Sequence, residues 1–232
     1  LGTIPGYRES DISLWFLLFF SLFFAMIIGD AGYGFVFLIL GIAINIKSKK
    51  LSDLVLLIYV VSLTTIGWGA ITGTWFGFEQ AMDIPFLKNL VLQPIANYPE
   101  KFGISSTTAQ NNVMKLCFTI GTIQLTLACA LNVIKKVKEK DLSLVADIGW
   151  LSSINALYYV VLLLVVGYEV NLMSLVPFIA IGFVLVVLFG GMSPDKTFSQ
   201  GLKSGLADSF TTLLNTISAF GNIMSYIRLF AV

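Results

Sequence analysis

The sequence predicts an all-α fold: a polytopic integral membrane helical bundle of about seven spans, the last of them long. Three observations carry this. Of 232 residues, 57% are hydrophobic and only 12% are charged, against about 25% charged in a soluble domain. Mean hydropathy is +0.90, and the apolar residues gather in runs of about 20, the length that crosses a bilayer. The lysines cluster after alternate runs, as they do in loops on the cytoplasmic side. Together these exclude a soluble enzyme, a disordered chain and a nucleic-acid-binding domain. The sequence contains no histidine, which excludes His-based triads, zinc sites with His ligands and histidine proton relays. Cys117 and Cys129 lie in one apolar run. On a helix they stand about 18 Å apart, too far for a disulfide, so they read as buried thiols. No metal site or cofactor is expected.

The elements follow in order. Residues 12–46 are apolar except at Gly29-Asp30-Ala31-Gly32-Tyr33-Gly34. One helix of that length would reach about 52 Å against a hydrocarbon core of about 30 Å. The glycines and the aspartate predict a break, hence two short spans, 12–29 and 31–46, with one long kinked helix as the alternative. The third span is 51–76, the fourth 112–134, the fifth 142–167 and the sixth 172–191. The seventh is 199–232. Between the third and fourth, residues 77–111 form a long loop holding Pro85, Pro94 and Pro99, and its apolar part, 84–95, is suited to lie on or dip into a membrane. No internal repeat is evident, so the inverted-repeat signature of many secondary transporters is missing. The chain reads as a piece of a longer protein. Leu1 is not a start residue, Arg8, Glu9 and Asp11 precede the first apolar run without a signal-peptide pattern, and Val232 falls inside a helical pattern.

Charge sets the orientation. Lys47, Lys49, Lys50, Lys135, Lys136, Lys138, Lys140, Lys196 and Lys203 fall on one side, and Lys88, Lys101 and Lys115 on the other. The bias makes the first group cytoplasmic, and with it the N-terminus. Glu79, Asp83, Asp147 and Glu169 sit at span ends or in loops and read as solvated.

The seventh span carries the most information. Ser204, Asp208, Thr211, Asn215, Ser218, Asn222 and Ser225 are spaced alternately four and three apart. At about 100° per residue they form one polar stripe. It is either packing glue, since Ser, Thr and Asn bond across membrane helices, or the wall of an aqueous path. Arg228 follows at the stripe's edge. A guanidinium cannot shed its charge in a protein. It needs an anionic partner or water, or else it snorkels to headgroups. Asp30 either lines a path or caps the helix that follows it. Gln124 and Asn132 are polar positions on the fourth span, with interhelical packing as their default. Gly69, Gly73 and Gly77 form a small-residue ladder that predicts close helix approach. The segment 191–197 lacks the glycine of a phosphate-cradling loop, and no nucleophile has a base nearby in sequence. Hydrolysis by this chain alone is not expected.

Two motifs resemble one family. Phe23-Phe24-Ala25-Met26-Ile27-Ile28-Gly29-Asp30-Ala31-Gly32-Tyr33-Gly34 and Ser225-Tyr226-Ile227-Arg228-Leu229 are similar to elements of the membrane half of the stator subunit of V-type and archaeal-type rotary ATPases, called subunit I or subunit a. A third match is Ile120-Gly121-Thr122-Ile123-Gln124, where the family often has histidine in place of Gln124. The resemblance implies a transmembrane ion-translocating domain over residues 1–232, with a cytoplasmic N-terminal arm and a final span outside the chain. It implies a tilted seventh span against a ring of proteolipids, each with a buried carboxylate. Arg228 would face that carboxylate. Asp208, Thr211, Asn215, Ser218, Asn222 and Ser225 would line a half-channel for H+ or Na+. The implied partners are the proteolipid c-ring, membrane lipid and, through the arm, the peripheral stalk and ATPase sector, with no nucleic acid. The implied location is a prokaryotic inner membrane. A secondary transporter with a polar-lined seventh helix and a non-transporting scaffold stay open as alternatives.

Overall fold

A computed structural model describes residues 13–139, 141–192 and 197–231. The expectations for Arg8, Glu9, Asp11, Lys140, Lys196 and Val232 lie outside the described residues, as does most of the 191–197 segment. The regular elements among the described residues are all helical. Five helices are long and apolar enough to cross a membrane, and the chain divides into two compact units, one of the residues up to Val113 together with those after Arg228, the other running from Met114 to Arg228.

In the first unit, α1 (Ser13–Ile28) and α2 (Ala31–Ser48) are separate helices, so the break falls where the glycines and aspartate predict it. Gly29 takes φ +65°, a left-handed turn that favours glycine. The rings of Phe24 and Phe37 lie 5.9 Å apart. The chain therefore turns at the break, and that ring contact links α1 to α2. Both pack on α3 (Asp53–Thr72). The hydroxyls of Ser62, Thr64, Thr65 and Thr72 donate to carbonyls one turn back. That local bonding lets polar residues sit inside an apolar span.

The third span ends earlier than 76. Gly73, at φ +82°, forms a left-handed cap whose N–H donates to Gly69 O, a common way to terminate a helix. The long loop is itself folded. Short 3-10 turns at Glu79–Asp83, Gln93–Ile95 and Pro99–Phe102 and the helix α4 (Pro85–Leu90) enclose Met82, Val91 and Ala96. The cap is tied to the end of α3: Leu92 N donates to Ile71 O and Asn97 N to Thr72 O, each at 2.9 Å. Ile84, Phe86, Leu90 and Leu92 stay exposed.

In the second unit, α5 (Ser106–Glu139) enters from the first and runs for 34 residues, about 51 Å. It is followed by α6 (Leu144–Val161), a π turn (Leu162–Val166) and α7 (Leu172–Phe189). Gly149 on α6 meets Gly182 on α7, where an added Cβ on either would strike backbone or Ser153. The core gathers Phe118, Ile154, Leu157, Val161, Leu162 and Ile223. One sequence expectation is corrected here. Asp147 is not solvated but 9% exposed. Its Oδ2 lies 2.7 Å from Lys136 Nζ, and its Oδ1 accepts from Asn132 at 3.3 Å. The cause is the length of α5, which continues past 134 as helix, so Asn132 and Lys136 present one face, a turn apart.

The last stretch is segmented rather than one uninterrupted helix: α8 (Phe198–Ala207), α9 (Ser209–Ser225) and α10 (Arg228–Ala231). Gly201 sits against Met192, and Gly205 lies so close to Val187 O that no Cβ fits. α8 is thereby held to the end of α7, and the chain bends at Asp208. The hydrogen-bond ladder still crosses the bend: Asp208 N donates to Ser204 O at 3.0 Å and Thr212 N to Asp208 O at 2.9 Å.

Candidate functional site

The polar stripe faces outward. Asp208, Thr211, Asn215, Ser218 and Asn222 are exposed, and Ser204 and Ser225 are half-buried. A neighbouring face of α9 makes the packing: Thr212 and Ile223 are buried, Ala219 and Phe220 join the core around Phe118, and Phe210, Leu213, Leu214 and Ile217 stay exposed together with the stripe. Ser218 Oγ donates to Leu214 O and Ser225 Oγ to Asn222 O, both within the helix. Among the described residues no stripe side chain bonds to another helix. Within this chain these polar groups lie on the surface, where apolar lipid tails do not satisfy them.

Arg228 opens α10 at the end of the stripe and is exposed. Among the described residues the ion pairs join Lys101 to Glu79 and Asp83, and Lys136 to Asp147; none involves Arg228. An unpaired guanidinium keeps its charge and five donors in a rigid fork. Placed at the end of a polar face, it suits an anionic group arriving from outside the unit.

Gln124 is tied to the same turn. Tyr226 Oη donates to Gln124 Oε1 at 2.9 Å, and the ring lies over Gly121, where any Cβ would overlap it. The second and third sequence motifs thus meet in space. The sequence reading missed Tyr226 as a site residue. Its available signal was Gly121, a gap on α5 sized for a ring.

Asp30 belongs to the first unit and has a different role. It is 4% exposed and caps α2. Its Oδ1 accepts from Gly32 N at 2.7 Å, Tyr33 N at 3.4 Å and Phe76 N at 2.9 Å, and its Oδ2 accepts from Gly77 N at 2.9 Å. The capping alternative is the one the geometry fits, extended to a second segment. Phe76, at φ +51°, and Gly77, at φ +69°, turn their N–H groups toward the carboxylate. Of the glycine ladder, Gly69 alone makes a close helix approach, to the Asp30–Ala31 peptide; Gly73 and Gly77 serve as left-handed turns. Nearby, Tyr98 Oη donates to Gly77 O at 3.0 Å. Burial raises the Tyr98 pKa above its ordinary value, and the charges of Glu79 and Asp30 raise it further. The Lys101 pKa is raised chiefly by its hydrogen bond to Asp83, which is 2.9 Å long.

The chain is 41% identical over 244 residues to the V-type ATP synthase subunit I of Borreliella burgdorferi, covering 100% of this chain and 38% of that protein. It is 33% identical over 239 residues to V-type ATP synthase subunit I 1 of Treponema pallidum, covering 100% of this chain and 37% of that protein. The chain belongs to the subunit I family of V-type and A-type ATP synthases. The A-type ATP synthase subunit I of Methanocaldococcus jannaschii is 26% identical over 250 residues, covering 99% of this chain and 35% of that protein. No family model matches the chain, and no solved structure matches it significantly. The chain spans less than two-fifths of the length of each of these three relatives.

Proposed function

We propose that this chain forms the ion-translocating membrane surface of a rotary ATPase stator. The observation that carries the reading is the outward polar stripe of α9 ending at an exposed, unpaired Arg228, in a chain of the subunit I family. The natural counterpart is a proteolipid ring whose subunits each bring a buried carboxylate into the membrane. A fixed positive charge beside such a carboxylate favours its ionised form. Arg228 thereby promotes ion release from the ring and bars ions from leaking past it. Thr211, Asn215, Ser218, Asn222 and Ser225 line the half-channel that feeds this point, and Asp208 stands at its far end. The coupled ion is H+ or Na+.

The chain hydrolyses nothing itself. ATP turnover belongs to the soluble sector, reached through a cytoplasmic arm and the peripheral stalk. The lysine bias supports a cytoplasmic N-terminus, and the bacterial relatives support a prokaryotic inner membrane. A secondary transporter would need its own counter-charge near Arg228, and the ion pairs of the described residues supply none.

The test is ATP-driven ion uptake by vesicles containing the complete complex, with Arg228→Ala beside the parent and ring copurification as the assembly control. Assembly with loss of uptake is expected. Assembly with normal uptake would refute the role of Arg228.

A further inference from the structure

We infer that Gln124 and Tyr226 are positioning residues that set the direction in which Arg228 points. The inference rests on the proposed role of Arg228 and adds a device that aims it.

The regular helix of α9 stops at Ser225. Across the next two residues the ladder tightens: Tyr226 N donates to Ile223 O at 3.2 Å and Ile227 N to Met224 O at 3.1 Å. These are three-residue bonds. They wind the backbone by about 120° per residue instead of about 100°. Over Tyr226 and Ile227 the difference accumulates to about 40°, which is enough to move a side chain from one face of a helix to the next. The Arg228 direction is therefore fixed by this turn and not by the register of α9 alone.

A tightened turn has poorer hydrogen-bond geometry than an α-helical one, so something else must hold it. Tyr226 is its first residue, and two contacts to α5 fix that side chain. Its hydroxyl donates to Gln124 Oε1 at 2.9 Å, and its ring fills the space that Gly121 leaves open. Gly121 and Gln124 lie three apart and share one face of α5, so a single patch seats both ends of the tyrosine. The patch belongs to the core-bearing part of the unit: Phe118, a turn before Gly121, is fully buried. An exposed arginine with many rotamers is thus mounted on a turn clamped to a rigid helix, two residues away.

The experiment uses the complete complex in vesicles. It compares ion uptake per assembled complex in the parent, Arg228→Ala, Tyr226→Phe, Gln124→Met, Gln124→Glu, Gly121→Ala and the Tyr226→Phe/Gln124→Met double variant. Tyr226→Phe and Gln124→Met each remove one partner of one hydrogen bond and should slow uptake roughly three- to tenfold. The double variant should be no slower than the worse single one, because the bond can be lost only once. Gln124→Glu keeps an acceptor oxygen and should recover most of the rate, which a merely space-filling Gln124 would not require. Gly121→Ala favours helix intrinsically by about 1 kcal/mol, yet should slow uptake by displacing the ring. If Gln124→Met fails to assemble, Tyr226→Phe, which deletes a single oxygen, decides. Parental uptake in Tyr226→Phe, with Arg228→Ala inactive, overturns the positioning role and leaves the Arg228 reading standing. Parental uptake in Arg228→Ala overturns both.

Discussion

Replacing Asp30 by asparagine separates a structural carboxylate from an ion carrier. The side chain keeps its shape, so the change is one of charge and donor pattern. The oxygen of asparagine can take the place of Oδ1 and serve Gly32, Tyr33 and Phe76, but its NH2 group then points at Gly77 N–H, which Oδ2 accepts in the parent. One bond to a charged acceptor is lost, at about 1.5–3 kcal/mol. The two short remaining bonds, from Gly32 and Phe76, weaken from charge-assisted to neutral, by roughly half of their strength. The sum is about 3–6 kcal/mol, a large part of a typical folding free energy of about 5–15 kcal/mol. The assay is thermal unfolding of the full-length subunit in detergent, with ring copurification and ion uptake measured on the same preparations. We expect a lower melting temperature, less assembled complex, and near-parental uptake per assembled complex. Parental melting and assembly with abolished uptake would refute the reasoning and place Asp30 on the ion path.

Two further predictions concern the remaining ion pairs. Asp147→Asn or Lys136→Met leaves the other member of a buried pair uncompensated, at a cost of about 3–5 kcal/mol, whereas the double change to apolar residues should restore much of the loss in a thermal melt. The cap over α3 should loosen at strongly alkaline pH. The Lys101 and Tyr98 pKa values are both raised in the folded state. The folded cap therefore holds their protons more tightly than the unfolded chain does, and its stability is complete below the ordinary lysine and tyrosine values and falls as pH rises through the folded ones. Hydrogen exchange of residues 79–102 across pH 9–12 (roughly the range of those groups) should show faster opening, and Asp83→Asn should move the onset to lower pH.

The parts of the molecule written locally were legible in the sequence. The Gly29-Asp30 break, the cap on α2 and the period of the stripe all follow from neighbours within a few residues. The parts that depend on distant partners were not. Asp30 reaches Phe76 and Gly77, 46 and 47 residues away, and no local pattern links them. The Tyr226–Gln124 bond spans 102 residues. Asp147 read as solvated because the end of α5 was placed at 134, and the turns beyond that point supply its cation. The stripe on α9 was visible as a period, but a period does not say which side faces out. Thr212 and Thr216 are also polar and, like Ser218 and Ser225, donate to their own helix, but Thr212 is buried and Thr216 half-buried.

The two caps on α2 fix more than its ends. Asp30 closes one terminus and the left-handed Lys49 the other, so the helix can neither lengthen nor fray to suit its surroundings. Its 18 residues measure about 27 Å, against a hydrocarbon core of about 30 Å, and the last turn already carries Lys47. A helix that is too long relieves the mismatch by tilting, but tilting a short one only reduces its reach. Nor can it be drawn out, because the Asp30 carboxylate is anchored to the loop after α3. Eighteen residues stand at the short end of the range that crosses a bilayer, so the Lys47 stem is what reaches from the end of the helix to the headgroup layer.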